Sequence, residues 1–144
     1  MKPSHSVSAT RIIAAPPSAI FNLLADPLQH PRLDGSGSVT KLKRGPHRLY
    51  LGATFIMHMK MGVGYLTRNK VVAFEEDRCI AWHHFAQFVW RYDLEELADG
   101  TTRVTETFEY DKPWGFLIER AGIPQKNRVA MEATLERLAQ IVTS

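Results

Sequence analysis

Glu106 shares a strand face with Val104, Phe108 and Tyr110, while Arg103, Thr105, Thr107 and Glu109 alternate onto the other face. A period of two therefore directs a carboxyl group into an apolar interior. A buried carboxylate is costly unless paired, and desolvation raises its pKa. That is one route to a general acid or base. The plain alternative is a structural pair with an inward Arg or Lys, or a bulge that turns Glu106 outward. Two further residues join it as proton-transfer candidates. His84 shares a face with Ile80 and Trp82, and Tyr92 shares one with Phe88, Trp90 and Leu94. Histidine titrates near neutrality and suits such work. For His84 the plain reading is a satisfied polar residue at a strand end.

The second kind of chemistry in this sequence is apolar binding. Phe55, Met57, Met59 and Met61 alternate with Ile56, His58 and Lys60, so three of the five methionines line one strand face. Methionine adapts to irregular shapes and suits a variable apolar surface. Phe88, Trp90, Tyr92 and Leu94 form a matching aromatic stripe. Trp90 and Tyr92 carry polar handles that need partners when buried. Apolar lining with a few polar groups is the usual make-up of a small-molecule site. The plain reading of each single residue is core packing.

Other classes are disfavoured. A net charge of +3 in 144 residues is too small to argue for nucleic acid,. Lys41, Lys43, Arg44 and Arg48 read as a solvated sheet edge. Cys79 is the only cysteine, so an intrachain disulfide and a cysteine-based metal site are excluded,. No His, Asp and Glu set has metal-ligand spacing, and no cofactor is expected. The first residues lack the apolar core of a signal peptide, and no apolar run approaches the ~20 residues needed to cross a bilayer. The expectation is a cytoplasmic protein with no stable membrane insertion. Trp114, Phe116 and Leu117 form a short apolar group that suits a gate over a cavity mouth, a membrane-touching patch or a homodimer contact.

These residues need elements to hold them. Residues 7–14 read as a strand, stopped by Pro16-Pro17. Pro17 opens a helix carrying Ile20, Phe21 and Leu24, and Asp26-Pro27 ends it. A second helical turn or two covers residues 28–33. Strands follow at 39–44, 53–61, 65–75, 79–85, 88–97 and 102–110, with Asp99-Gly100 a strong hairpin signal. A turn or two of helix covers 114–121. Pro124 opens a final helix of about five turns, striped by Met131, Leu135, Leu138 and Val142. A twisted antiparallel sheet must bury one face, and this helix is the obvious cover. Nothing marks a linker or repeat, so residues 1–144 read as one domain.

With that order in place, the chain resembles the START/polyketide cyclase-like (SRPBCC) superfamily, of polyketide cyclase/dehydrase and lipid-transport type. The resemblance is clearest over residues 11–27, a strand, a proline-marked turn and a helix. It extends through Asn69-Lys70-Val71-Val72-Ala73-Phe74, Ile80-Ala81-Trp82, Trp90-Arg91-Tyr92 and Gly100-Thr101-Thr102-Arg103-Val104-Thr105. It implies an α+β helix-grip fold: a curved antiparallel sheet of about seven strands around the C-terminal helix, with two short helices after the first strand. It also implies a cavity between sheet and helix. There the ligand-facing residues would be Phe55, Met57, Met59, Met61, Trp82, Phe88, Trp90, Tyr92, Phe108, Phe116, Met131 and Leu135. The expected partner is a small hydrophobic ligand such as a lipid, polyketide or aromatic metabolite. The alternatives are a cyclase or dehydratase using Glu106, His84 and Tyr92, and a protein-interaction module with a filled core. Fold alone does not choose among them.

Overall fold

The computed structural model describes residues 5–84 and 88–144. The order is β1 (Ser6–Ile13), α1 (Pro17–Leu24), a 3-10 turn (Pro27–Gln29), α2 (His30–Leu33), β2 (Val39–Arg44), β3 (Thr54–Met61), β4 (Val63–Glu75), β5 (Cys79–His83), β6 (Val89–Glu96), β7 (Thr102–Glu109), α3 (Gly115–Arg120) and α4 (Ile123–Thr143). The seven strands form one antiparallel sheet in the order β1-β7-β6-β5-β4-β3-β2. This is the α+β helix-grip architecture that the sequence suggested. Phe85, expected at the end of a strand, lies outside the described residues.

Local chemistry explains the punctuation. Pro17 sits in the first turn of α1, and Ile20, Phe21 and Leu24 are buried. Asp26 then caps the 3-10 turn by accepting the Leu28 N–H at 3.1 Å. Gly122 has φ 72°, which only glycine adopts at little cost, and joins α3 to α4,. Its N–H donates to the Glu119 carbonyl at 3.1 Å. The 21 residues of α4 span roughly 32 Å,. Met131, Leu135 and Leu138 are buried along one stripe.

Two features depart from expectation. First, α4 makes its closest backbone approach to β1 and β7, at one side of the sheet, and to the short helices, while its Met131 and Leu135 share one buried core with Phe55 and Met57. His30 of α2 covers part of the face near β3. The His30 ring meets Phe55 edge-on at 5.5 Å and stacks on Trp82 at 4.8 Å. Second, Met61 is not on the concave wall. Lys70 pairs with both Thr54 and His83, so β4 before Lys70 runs past the end of β5 as an overhang with β3, which β2 flanks as far as Met59. Met57 is buried and Met59 half-buried, while Met61 at the tip is 58% exposed.

Candidate ligand site

The register places Ala9, Glu106, Tyr92 and Ile80 in one row across β1, β7, β6 and β5. Glu106 is 3% exposed, so the alternation read from the sequence does turn its carboxyl inward. The Tyr92 hydroxyl hydrogen-bonds this carboxyl. Its Oε1 is buried and has no hydrogen-bond partner among the described residues. Burial pushes the Glu106 pKa up to about 8; the bond from Tyr92 opposes this, and the charge of Asp34 adds to it. Among the described residues no Arg or Lys offsets the burial, so an inward salt bridge is not what holds Glu106 there. Burial, then Glu106 and Asp34, also raise the Tyr92 pKa well above its ordinary value. At neutral pH the pair is a neutral carboxylic acid beside a neutral phenol. The carboxyl can donate or accept a hydrogen bond there, and becomes a base only above about pH 8,.

His30 extends this polar feature. It is buried, and its Nε2 lies 2.8 Å from the Leu24 carbonyl. A carbonyl only accepts, so Nε2 carries the proton and donates; in the neutral ring Nδ1 keeps its lone pair. Burial lowers the His30 pKa, although the Leu24 bond and the charges of Asp26 and Asp34 oppose the shift. Trp82 bridges the two groups, stacked on His30 and 5.7 Å from the Tyr92 ring. The sequence reading passed over His30. The available signal was its position just after α1, whose last carbonyls need donors.

His84 does not join them. It lies four residues beyond Ile80, roughly 13 Å along the strand direction from the Glu106–Tyr92 row,. Its ring meets Phe88 edge-on at 6.1 Å. Burial, followed by the charge of His83, lowers its pKa.

The expected apolar lining divides into three groups. Phe55, Met57, Tyr92, Phe108, Met131 and Leu135 are buried in the main core. Met59, Trp82, Phe88 and Trp90 are half-buried against it. Met61 and Phe116 are exposed. Trp90 packs on Phe108 at 4.7 Å, so the aromatic stripe continues from β6 onto β7.

A strap, residues 34–38, lies between this interior and solvent. The Asp34 carboxylate accepts from the Ser36 N–H at 3.1 Å, the Ser36 hydroxyl at 2.8 Å and the Val39 N–H at 2.8 Å. Gly35 donates its N–H to Thr134 Oγ1 at 2.8 Å, and Arg137 donates to the Asp34 carbonyl at 2.6 Å. Glycine is required at 35: a Cβ there would stand 2.3 Å from the Ala130 carbonyl oxygen. Between the strap and α4 on one side and the β3–β4 tip on the other runs an open groove of about 600 Å³. Ser36, Lys60, Met61, Lys126, Val129 and Ala130 line it.

A family model described as polyketide cyclase / dehydrase and lipid transport matches residues 4–143. The chain belongs to that family. An uncharacterized protein of Mycobacterium tuberculosis is 34% identical over 139 residues, which is 92% of this chain and 62% of the relative. The chain thus spans less than two thirds of that relative's length. Among solved structures, a protein from Chromobacterium violaceum superposes with TM-score 0.76 at 18% identity, covering 96% of this chain and 98% of the other. A polyketide-cyclase-like protein from Corynebacterium glutamicum gives 0.59 at 22% identity, covering 99% and 91%. At these identities the likeness carries the fold alone. Among the described residues no group of three or more His, Cys, Asp and Glu is placed to hold a metal ion. Among the described residues no helix is long and apolar enough to cross a membrane.

Proposed function

We propose that the protein binds a small hydrophobic ligand between the sheet and the strap–α4 wall, with the Glu106–Tyr92 pair as its polar end. The observation that carries this reading is the unpartnered Glu106 Oε1 in a largely apolar interior. A buried polar atom left without a partner costs about 1–3 kcal/mol. A ligand hydroxyl, amine or carbonyl meeting it would offset that cost. The half-buried Met59, Trp82, Phe88 and Trp90 supply adaptable apolar contacts, backed by the fixed layer of Phe55, Met57, Met131 and Leu135. The groove beside the strap is the route of entry, and family membership supports an apolar ligand class.

The test is a library of lipids and aromatic metabolites, read by thermal shift and by bound mass under native conditions. At least one class should raise the melting temperature and stay bound, and Trp82→Ala should weaken it. A library that shifts nothing and leaves no bound mass would refute the reading.

A second reading, a cyclase or dehydratase, is favoured by one observation: two of the three proton-transfer candidates converge, at Glu106 and Tyr92. Under it, Glu106→Gln would abolish turnover of a bound ligand while leaving its affinity within a few-fold of the parent protein. Turnover that survives Glu106→Gln would remove Glu106 from any catalytic role.

A further inference from the structure

We infer that the groove end of the molecule docks on the surface of an anionic phospholipid bilayer. Thirteen large apolar side chains are exposed among the described residues, and six of them flank this end: Met61, Val63, Trp114, Phe116, Leu117 and Val129. They come from three places. Met61 and Val63 form the tip of the β3–β4 overhang, Val129 lies across the groove on α4, and the others belong to α3 and the residue just before it. The register sets α3 at the same end, because β7 finishes at Glu109 opposite Ser6 and the start of β6. Apolar side chains presented from separate elements at one end fit a surface that accepts several shallow insertions.

Charge selects the kind of surface. Residues 60–70 and 111–130 carry seven of the chain's 18 Lys and Arg but only two of its 15 Asp and Glu. Those two are Asp111 and Glu119, which face His5; Glu109 at the end of β7 is a third acid at this end, with Arg91 near it. Lys60 and Lys126 line the groove, Arg128 lies close by on α4, and none of the three forms an ion pair among the described residues. The opposite end is acidic. The ends of β4 and β6 and the turns after them hold Glu75, Glu76, Asp77, Glu95, Glu96 and Asp99, where Arg48, Arg78 and Arg103 pair with three of them. A molecule positive at its apolar end and negative at the other is oriented by an anionic bilayer before it touches it. The apolar group distinguishes such a surface from nucleic acid, which offers nothing for Phe116 or Val63 to enter. This docking does not depend on whether the interior takes a ligand.

The experiment is sedimentation of the full chain with vesicles of phosphatidylcholine alone and of phosphatidylcholine mixed with phosphatidylglycerol. Binding should require the anionic lipid and fall as salt rises. Lys60→Gln with Lys126→Gln should weaken it roughly 30-fold, at ~1 kcal/mol per charge. Phe116→Ser with Leu117→Ser should remove the part that resists salt, and Glu96→Gln with Asp99→Asn should not weaken binding. Melting curves confirm that each variant is folded. Equal partition onto both vesicle types, or none onto either, overturns the proposal. So does self-association at low salt that the Glu96→Gln, Asp99→Asn variant abolishes, since the basic end would then be meeting the acidic end of a second copy. Binding to duplex DNA that survives Phe116→Ser, Leu117→Ser, with none to vesicles, overturns it as well.

Discussion

Replacing Glu106 by Gln keeps the shape of the side chain and removes its titration. The carboxyl has an ordinary pKa of 4.5 and one of about 8 in the fold. Between those values the unfolded chain has lost the proton and the native state has kept it. Stability from this group is therefore fully present below pH 4.5, declines as pH rises, and is lost by about pH 8,. The slope is about 1.4 kcal/mol per pH unit. The amide of the variant does not titrate, so the variant should match the parent near pH 4.5 and exceed it by about 4 kcal/mol near pH 7.5. For a domain of this size that is about 10 °C in melting temperature. The buried histidines tilt the other way. His30 and His84 have lowered pKa values, so their contribution falls as pH drops below the ordinary value of 6.5. Taking the difference between parent and variant cancels them. The assay is urea unfolding at several pH values, with the m-value checked for constancy. A pH-independent difference between the two proteins would refute the assignment of Glu106 as a buried neutral acid.

His30→Phe should preserve the stacking on Trp82 but strip the Leu24 carbonyl of its donor, costing about 1–3 kcal/mol in urea unfolding,. An unchanged midpoint would mean that this bond contributes nothing. Gly35→Ala should force the strap away from α4 and destabilise by about 1–3 kcal/mol,. Faster amide exchange confined to the strap and the facing turn of α4 should accompany it, and unaltered exchange there would contradict the close approach.

The scaffold was legible because its signals are local. The prolines at 16, 17 and 27, the alternation of β7 and the three-and-four spacing of α4 each specify an element without knowledge of its neighbours. The inward direction of Glu106 followed from alternation in the same way. What did not follow was how the elements cover one another. Part of the sheet face is covered by His30 from a four-residue helix, and the strap that bonds to α4 has five residues; such short pieces carry little periodicity. Met61 fell on the right face of its strand, but the length of the β3–β4 overhang depends on where β5 stops. His84 shares a face with Trp82, and face-sharing says nothing of distance along the strand. His30 escaped notice because its function is defined by a carbonyl six residues away, not by a pattern around it.

The protonation state of Glu106 also separates the two functional readings. At neutral pH its carboxyl and the Tyr92 hydroxyl are both uncharged, and among the described residues a carboxylate-bearing ligand would meet no cation beside either. A neutral polar group is the better match. For binding alone, a ligand that accepts a hydrogen bond from the protonated acid should lose affinity as pH rises through about 8, and one that donates to it should gain,. If the acid instead removes a proton from a bound substrate, turnover should rise through the same pH while affinity moves little. Titrating one bound ligand from about pH 6 to about pH 9, with affinity and turnover read side by side, distinguishes these cases. Affinity and turnover that are both flat across that interval, with unfolding showing the Glu106 titration in place, would show that the buried acid meets neither ligand nor substrate. Its effect would then be confined to the stability of the interior.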